Sequence, residues 1–105
     1  MIFIEFKENK NKEFISFNIS GHADCDRDDL NNSLACAGCS AIVFGNINSL
    51  DKLDQNNHKI LIKDNLININ ILKITKQNQI LLKGLYYSLS MLKEQNNNFK
   101  IKIER

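Results

Sequence analysis

Proline and tryptophan are absent from this 105-residue chain, and it has only four glycines. The same sequence over-uses Asn, Lys and Ile. That skew brings no structural advantage and reads as the codon bias of an AT-rich genome. No glycine-rich loop is present to cradle a phosphate, and no basic–aromatic patch to bind nucleic acid. Neither charge sign dominates: a net charge of +2 argues for neither a nucleic-acid nor a membrane partner. No apolar run approaches the roughly 20 residues a membrane-spanning helix needs. The opening residues, Met1 to Lys7, lack the basic and long apolar segments of a signal peptide. The chain is therefore expected to be soluble and cytoplasmic, with no membrane and no direct nucleic-acid contact. Repeats and linkers are missing too, so one domain spanning 1–105 is expected. Three cysteines is an odd number. In a reducing compartment thiols are expected to be buried, metal-bound or reactive rather than disulfide-bonded.

What is present is a regular succession of periodic segments. Ile2, Ile4 and Phe6 alternate with Phe3 and Glu5 as a strand would. After the polar turn Glu8–Lys12, Phe14 to Ser20 reads as a second strand, with Ile15, Phe17 and Ile19 on one face and Phe14 on the other. A helix is predicted from about Asn31–Ser33, all good N-cap residues, to Leu53. Its apolar stripe is Cys36, Ser40, Val43, Ile47 and Leu50, and Gly45 inside it suggests a close approach by another element. His58 to Lys63 and Leu66 to Thr75 read as a second hairpin, with His58 on the surface. Helical spacing returns from Lys76 to Gln95, where Tyr86 and Tyr87 suit one core and one half-exposed tyrosine, the alternative being that the pair lines a groove or dimer face. Phe99, Ile101 and Ile103 alternate with Lys100, Lys102 and Glu104 as a charge-protected edge strand. The predicted fold class is α+β: a single small domain, β-β-α-β-β-α-β, with two helices packed on a largely antiparallel sheet.

The chemistry-bearing residues gather in one stretch: Gly21-His22-Ala23, an acidic loop holding Asp24, Asp26, Asp28 and Asp29, then Ala35-Cys36-Ala37-Gly38-Cys39-Ser40-Ala41. Cys36 near a helix start would have a stabilised thiolate, the form that attacks carbonyls. His22 at a strand exit would serve as its base. A second reading takes His22-x-x-Cys25 and Cys36-x-x-Cys39 as four zinc ligands in a metal-stabilised binding module. A redox Cys-x-x-Cys and a merely packed thiol are two further readings. From the residues alone all four stay open.

Those two short segments, Ser20-Gly21-His22-Ala23 and Ala35-Cys36-Ala37-Gly38-Cys39-Ser40-Ala41, resemble the ribosomal-processing cysteine protease (Prp) family in order and separation, and the element order matches over essentially the whole chain. The resemblance implies a small, usually dimeric α/β sandwich that acts as a cysteine endopeptidase without a cofactor or a metal. It implies Cys36 as nucleophile and His22 as general base, with Ser40, Ser33 and Gly21 near bound substrate. The substrate it implies is a large-subunit ribosomal protein precursor, cut after an aromatic residue to remove an N-terminal extension. That partner would be basic; the acidic loop Asp24 to Asp29 either helps attract it or is simply solvated charge. Three departures stand out. Cys39 occupies a place that is usually apolar, Ser33 stands where many members carry Asp, and the loop is longer and lacks glycine. A non-catalytic, ribosome-associated homologue would show such a departure at Ser33.

Overall fold

The computed structural model describes the backbone of residues 1–21 and 30–105, and the side chains of all of these except 30–33. Seven elements follow in order: β1 (Ile2–Glu8), β2 (Phe14–Ser20), α1 (Leu30–Leu53), β3 (His58–Lys63), β4 (Leu66–Ile71), α2 (Lys76–Gln95) and β5 (Phe99–Glu104). This is the predicted order. The five strands form one sheet in the order β3-β4-β2-β1-β5. Its pairs are antiparallel except β1 with β5, which run parallel. α2 makes that parallel crossover, and β5 takes the edge position that its alternating lysines suit.

Period-two alternation puts one face of β1, β2, β4 and β5 into the core, while β3 contributes only the partly buried Ile60. Ile2, Ile4, Phe6, Phe17, Ile19, Ile67, Ile69 and Phe99 are buried together with Cys39, Val43, Ile47 and Leu50 of α1 and Leu82, Leu85 and Leu89 of α2. The other sheet face is polar around Asn18, Asn68 and Asn70. Asn68 donates to the Asn18 side-chain oxygen, and Asn70 Nδ2 donates to Asn68 Oδ1 at 2.8 Å.

Several expectations need correcting. Phe14 is buried on the same side as Phe17, not opposite it. The register shifts between Lys7 and Glu8, so Glu8 pairs with Phe14 and the extra residue re-aims the strand start. There the Gln79 side chain takes the place of a neighbouring strand, accepting from the Phe14 amide at 2.7 Å and donating to its carbonyl at 2.7 Å. Phe6, Phe14 and Phe17 form a tilted cluster with centroids 4.9 and 5.0 Å apart, and Tyr86 stands edge-on to Phe6 at 5.4 Å. β4 ends at Ile71 rather than Thr75, because Thr75 caps α2 instead: its hydroxyl accepts from the Asn78 amide while Asn78 reaches back to the Thr75 amide. Gly45 has no close neighbour, since a Cβ built there meets nothing within 4 Å among the described residues.

His58 is not a surface residue. Its side chain is only 6% exposed, with Nε2 2.8 Å from Asp51 Oδ1. Beside it, the buried Asp54 carboxylate accepts from Thr75 Oγ1 at 2.7 Å, Asn78 Nδ2 at 2.9 Å and Asn57 Nδ2 at 3.1 Å. This network ties the end of α1 to the starts of β3 and α2.

Candidate active site

α1 carries the candidate nucleophile. It begins at Leu30, so Cys36 lies six residues in, about 9 Å along the axis and in the second turn. The expectation of a first-turn cysteine is corrected by this earlier start. The unpaired leading amides belong to residues before Cys36, and their field fades within a turn. Cys36 and Ser40, one turn apart, are both half-buried on the flank of the core stripe. The stripe itself is led by Cys39, followed by Val43, Ile47 and Leu50, and Cys36 and Ser40 stand beside it rather than on it.

The two described cysteines differ in kind. Cys39 is fully buried and free, and burial pushes its thiol up to about 11, far from the thiolate a nucleophile needs. It sits in the core with Val43, as a small hydrophobe would. Cys36 is disulfide-bonded in this structure, against the expectation of unpaired thiols, and it must be reduced before it can attack. His22 and Cys25 lie outside the described residues, as does the Ser33 side chain. Among the described residues no group of three or more His, Cys, Asp or Glu is placed to hold a metal ion.

Gly21 has a backbone reason to be glycine. Its φ is +92°, and a Cβ there would run into the main-chain carbonyl of Met1. Its amide donates to the Asn65 carbonyl at 3.3 Å, which ties the exit of β2 to the β3–β4 turn. Beside that turn, a groove of about 320 Å³ opens between α1 and the hairpin, lined by Ser40, Phe44, Ile62, Lys63, Leu66 and Ile67. The β2 exit, the β3–β4 turn and the Cys36–Ser40 flank of α1 thus lie around one end of the sheet. On its other side α1 packs on α2, with Gly38 against Leu92 and Asn46 Nδ2 donating to the Leu81 carbonyl at 2.8 Å. The Phe44–Ile62 groove is a feature that the sequence pattern does not signal.

The scaffold is that of a small α+β fold seen in solved proteases. At 24% identity and a TM-score of 0.88, the chain is similar to the S. aureus ribosomal processing protease Prp in complex with a covalently linked product peptide, covering 99% of this chain and 100% of that one. The same S. aureus protease with a substrate peptide matches at 22% identity and a TM-score of 0.84 over 99% and 100%. A Streptococcus mutans protein matches at 21% identity and 0.83, over 99% of this chain and 94% of that one. No curated protein matches the chain in sequence. The family described as cysteine protease Prp matches over residues 1–102, and the chain belongs to it. It is thus a cysteine protease by family. Among the described residues no helix is long and apolar enough to cross a membrane.

Proposed function

We propose that this chain is a cysteine endopeptidase that removes the N-terminal extension of a large-subunit ribosomal protein precursor, with Cys36 as nucleophile and His22 as general base. The observation that carries the reading is the family match over residues 1–102, with Cys36 half-buried one turn before Ser40, which lines an open groove. Cys39, the other described cysteine, is sealed in the core. The S. aureus ribosomal processing protease, solved with a substrate peptide and with a covalently linked product peptide, supports a peptide substrate; the precursor itself is what the family resemblance implies.

In this mechanism His22 accepts the thiol proton of reduced Cys36, and the sulfur attacks the scissile carbonyl. The tetrahedral intermediate collapses to a thioester as His22 passes that proton to the leaving amine. Water, deprotonated by His22, then attacks the thioester. The new carboxyl group leaves and the thiol is restored. Ser40, one turn from Cys36, and Gly21 at the strand exit border the path of the bound peptide. Ser33 completes the proposed substrate-facing set, and the groove at Phe44 takes part of the peptide chain. The protein works in the cytoplasm as a homodimer.

The test is cleavage of a precursor carrying its extension, under reducing conditions, by the wild-type protein and by Cys36→Ala and His22→Ala. Cleavage by the wild type alone is expected. Cleavage that survives Cys36→Ala overturns the reading. A wild type that never cleaves any such precursor supports a non-catalytic homologue instead.

A further inference from the structure

α2 has two opposite apolar faces, and the described residues cover only one. Leu82, Leu85 and Leu89 are buried in the core. Half a helical turn away, Ile80, Gly84, Tyr87 and Met91 follow one another at spacings of four, three and four, which is the seam of a helix pair. Ile80, Tyr87 and Met91 are 59%, 70% and 52% exposed. Gly84 lies between them, and a Cβ built there meets nothing within 4 Å among the described residues. Gly84 is the small position of the stripe, set between the large side chains of Ile80 and Tyr87. Tyr87 is held ready, its ring edge-on to Tyr86 at 5.5 Å.

The stripe is self-complementary about a point between Leu85 and Tyr86. When a second copy runs antiparallel across that point, Ile80 meets Met91 of the partner subunit, and Gly84 meets Tyr87 of the partner subunit. A socket thus faces a knob twice, by symmetry, as a twofold interface requires. The charges agree with the same register. Lys76 and Glu94 lie on one flank of the stripe at opposite ends of α2, so each Lys76 falls beside Glu94 of the partner subunit.

We infer that α2 is the self-association face of this protein, two copies packing antiparallel with Tyr87 of each seated over Gly84 of the other. This rests on the dimeric reading above and adds the surface. It is independent of the peptidase chemistry. The Ser40–Phe44 flank of α1 faces the β3–β4 hairpin rather than α2, so the groove of each copy stays open in such a dimer. Three large side chains make a small contact, below the standard interface size, so the dimer dissociates on dilution.

The experiment is sedimentation equilibrium of the full chain from about 1 to about 500 μM, in reducing buffer. The wild-type mass should rise from one chain to two across that range, and Tyr87→Glu and Gly84→Leu should each hold it at one. Unchanged far-ultraviolet circular dichroism and urea midpoints establish that both variants are folded. Lys76→Glu and Glu94→Lys should each weaken association about 3- to 10-fold, and the double exchange should restore it. A folded Tyr87→Glu dimer as tight as the wild type, or a dimer lost only with Leu61→Glu on β3, overturns the face. Failure of the double exchange to restore association overturns the antiparallel register. A wild type that stays monomeric throughout overturns the face and the dimeric reading together, and leaves the peptidase proposal standing.

Discussion

The two ends of α1 are built to opposite specifications. At its far end Asp54 is buried and accepts three side-chain hydrogen bonds, from Thr75, Asn78 and Asn57, with the His58–Asp51 pair beside it. Near its start Cys36 and Ser40 are half-buried, and Ser40 lines a groove. One end uses polar side chains to hold elements together, while the other sets a cysteine and a serine half-buried beside the core stripe. The contrast teaches that burial and partnership, not residue type, separate anchor from site. Asp54 has the chemistry of a catalytic carboxylate and the environment of a structural one. Cys39 and Cys36, three residues apart, repeat the contrast within a single turn.

That division can be broken by substitution. Cys36→Ala should give the largest effect: in reducing buffer, loss of cleavage by at least about 10³-fold with the urea midpoint nearly unchanged. Steady-state kinetics paired with denaturation checks this, and a variant that loses stability in step with activity would merge the two ends.

Asp54→Ala should do the reverse. It strands the Thr75, Asn78 and Asn57 donors in the interior and should cost about 2–4 kcal/mol by urea unfolding, while the folded fraction keeps its activity. The same carboxyl sets a pH dependence. Burial alone would raise it, but the hydrogen bonds from Thr75, Asn78 and Asn57 and the charge of His58 outweigh burial and hold it below its ordinary 3.8. A depressed carboxyl stabilises the fold above its unfolded value, and that contribution is lost as the pH falls through the folded value. Wild-type stability should therefore drop with acid below about pH 4, and Asp54→Asn should flatten part of that slope; denaturation at a series of pH values reads it.

Cys39→Ala should open a small cavity beside Val43, costing about 1–2 kcal/mol and leaving cleavage intact. Loss of cleavage in a folded Cys39→Ala protein would move the chemistry to the wrong sulfur. Gly45→Ala, smallest of all, should raise stability by about 0.5–1 kcal/mol in thermal or urea unfolding, because the added methyl meets no neighbour.

Local periodicity carried most of the fold. Ile67 and Ile69 alternate with Asn68 and Asn70, and they are core and solvent in the structure. Features set by residues distant in sequence were not legible. The face of Phe14 depends on a bulge in β2, where Ile15 is the extra residue opposite Lys7 and Glu8, and on Gln79, 65 positions away. The burial of His58 depends on Asp51, one helix end earlier. The parallel pairing of β5 with β1 joins the two ends of the chain, and no local pattern signals it. The site was legible as a cysteine and a histidine in short segments resembling a family. Its groove was not, because Ser40, Phe44 and the β3–β4 turn meet only once α1 lies across the hairpin.

The central claim is that Cys36, and not Cys39, is the nucleophile. Its most direct test is to treat the reduced protein with a substrate-derived peptide chloromethyl ketone and map the adduct by proteolysis and mass spectrometry. The account predicts one adduct per chain, on Cys36, with Cys39 unmodified. An adduct on Cys39, or labelling no faster than with a small alkylating agent of no peptide character, would contradict it.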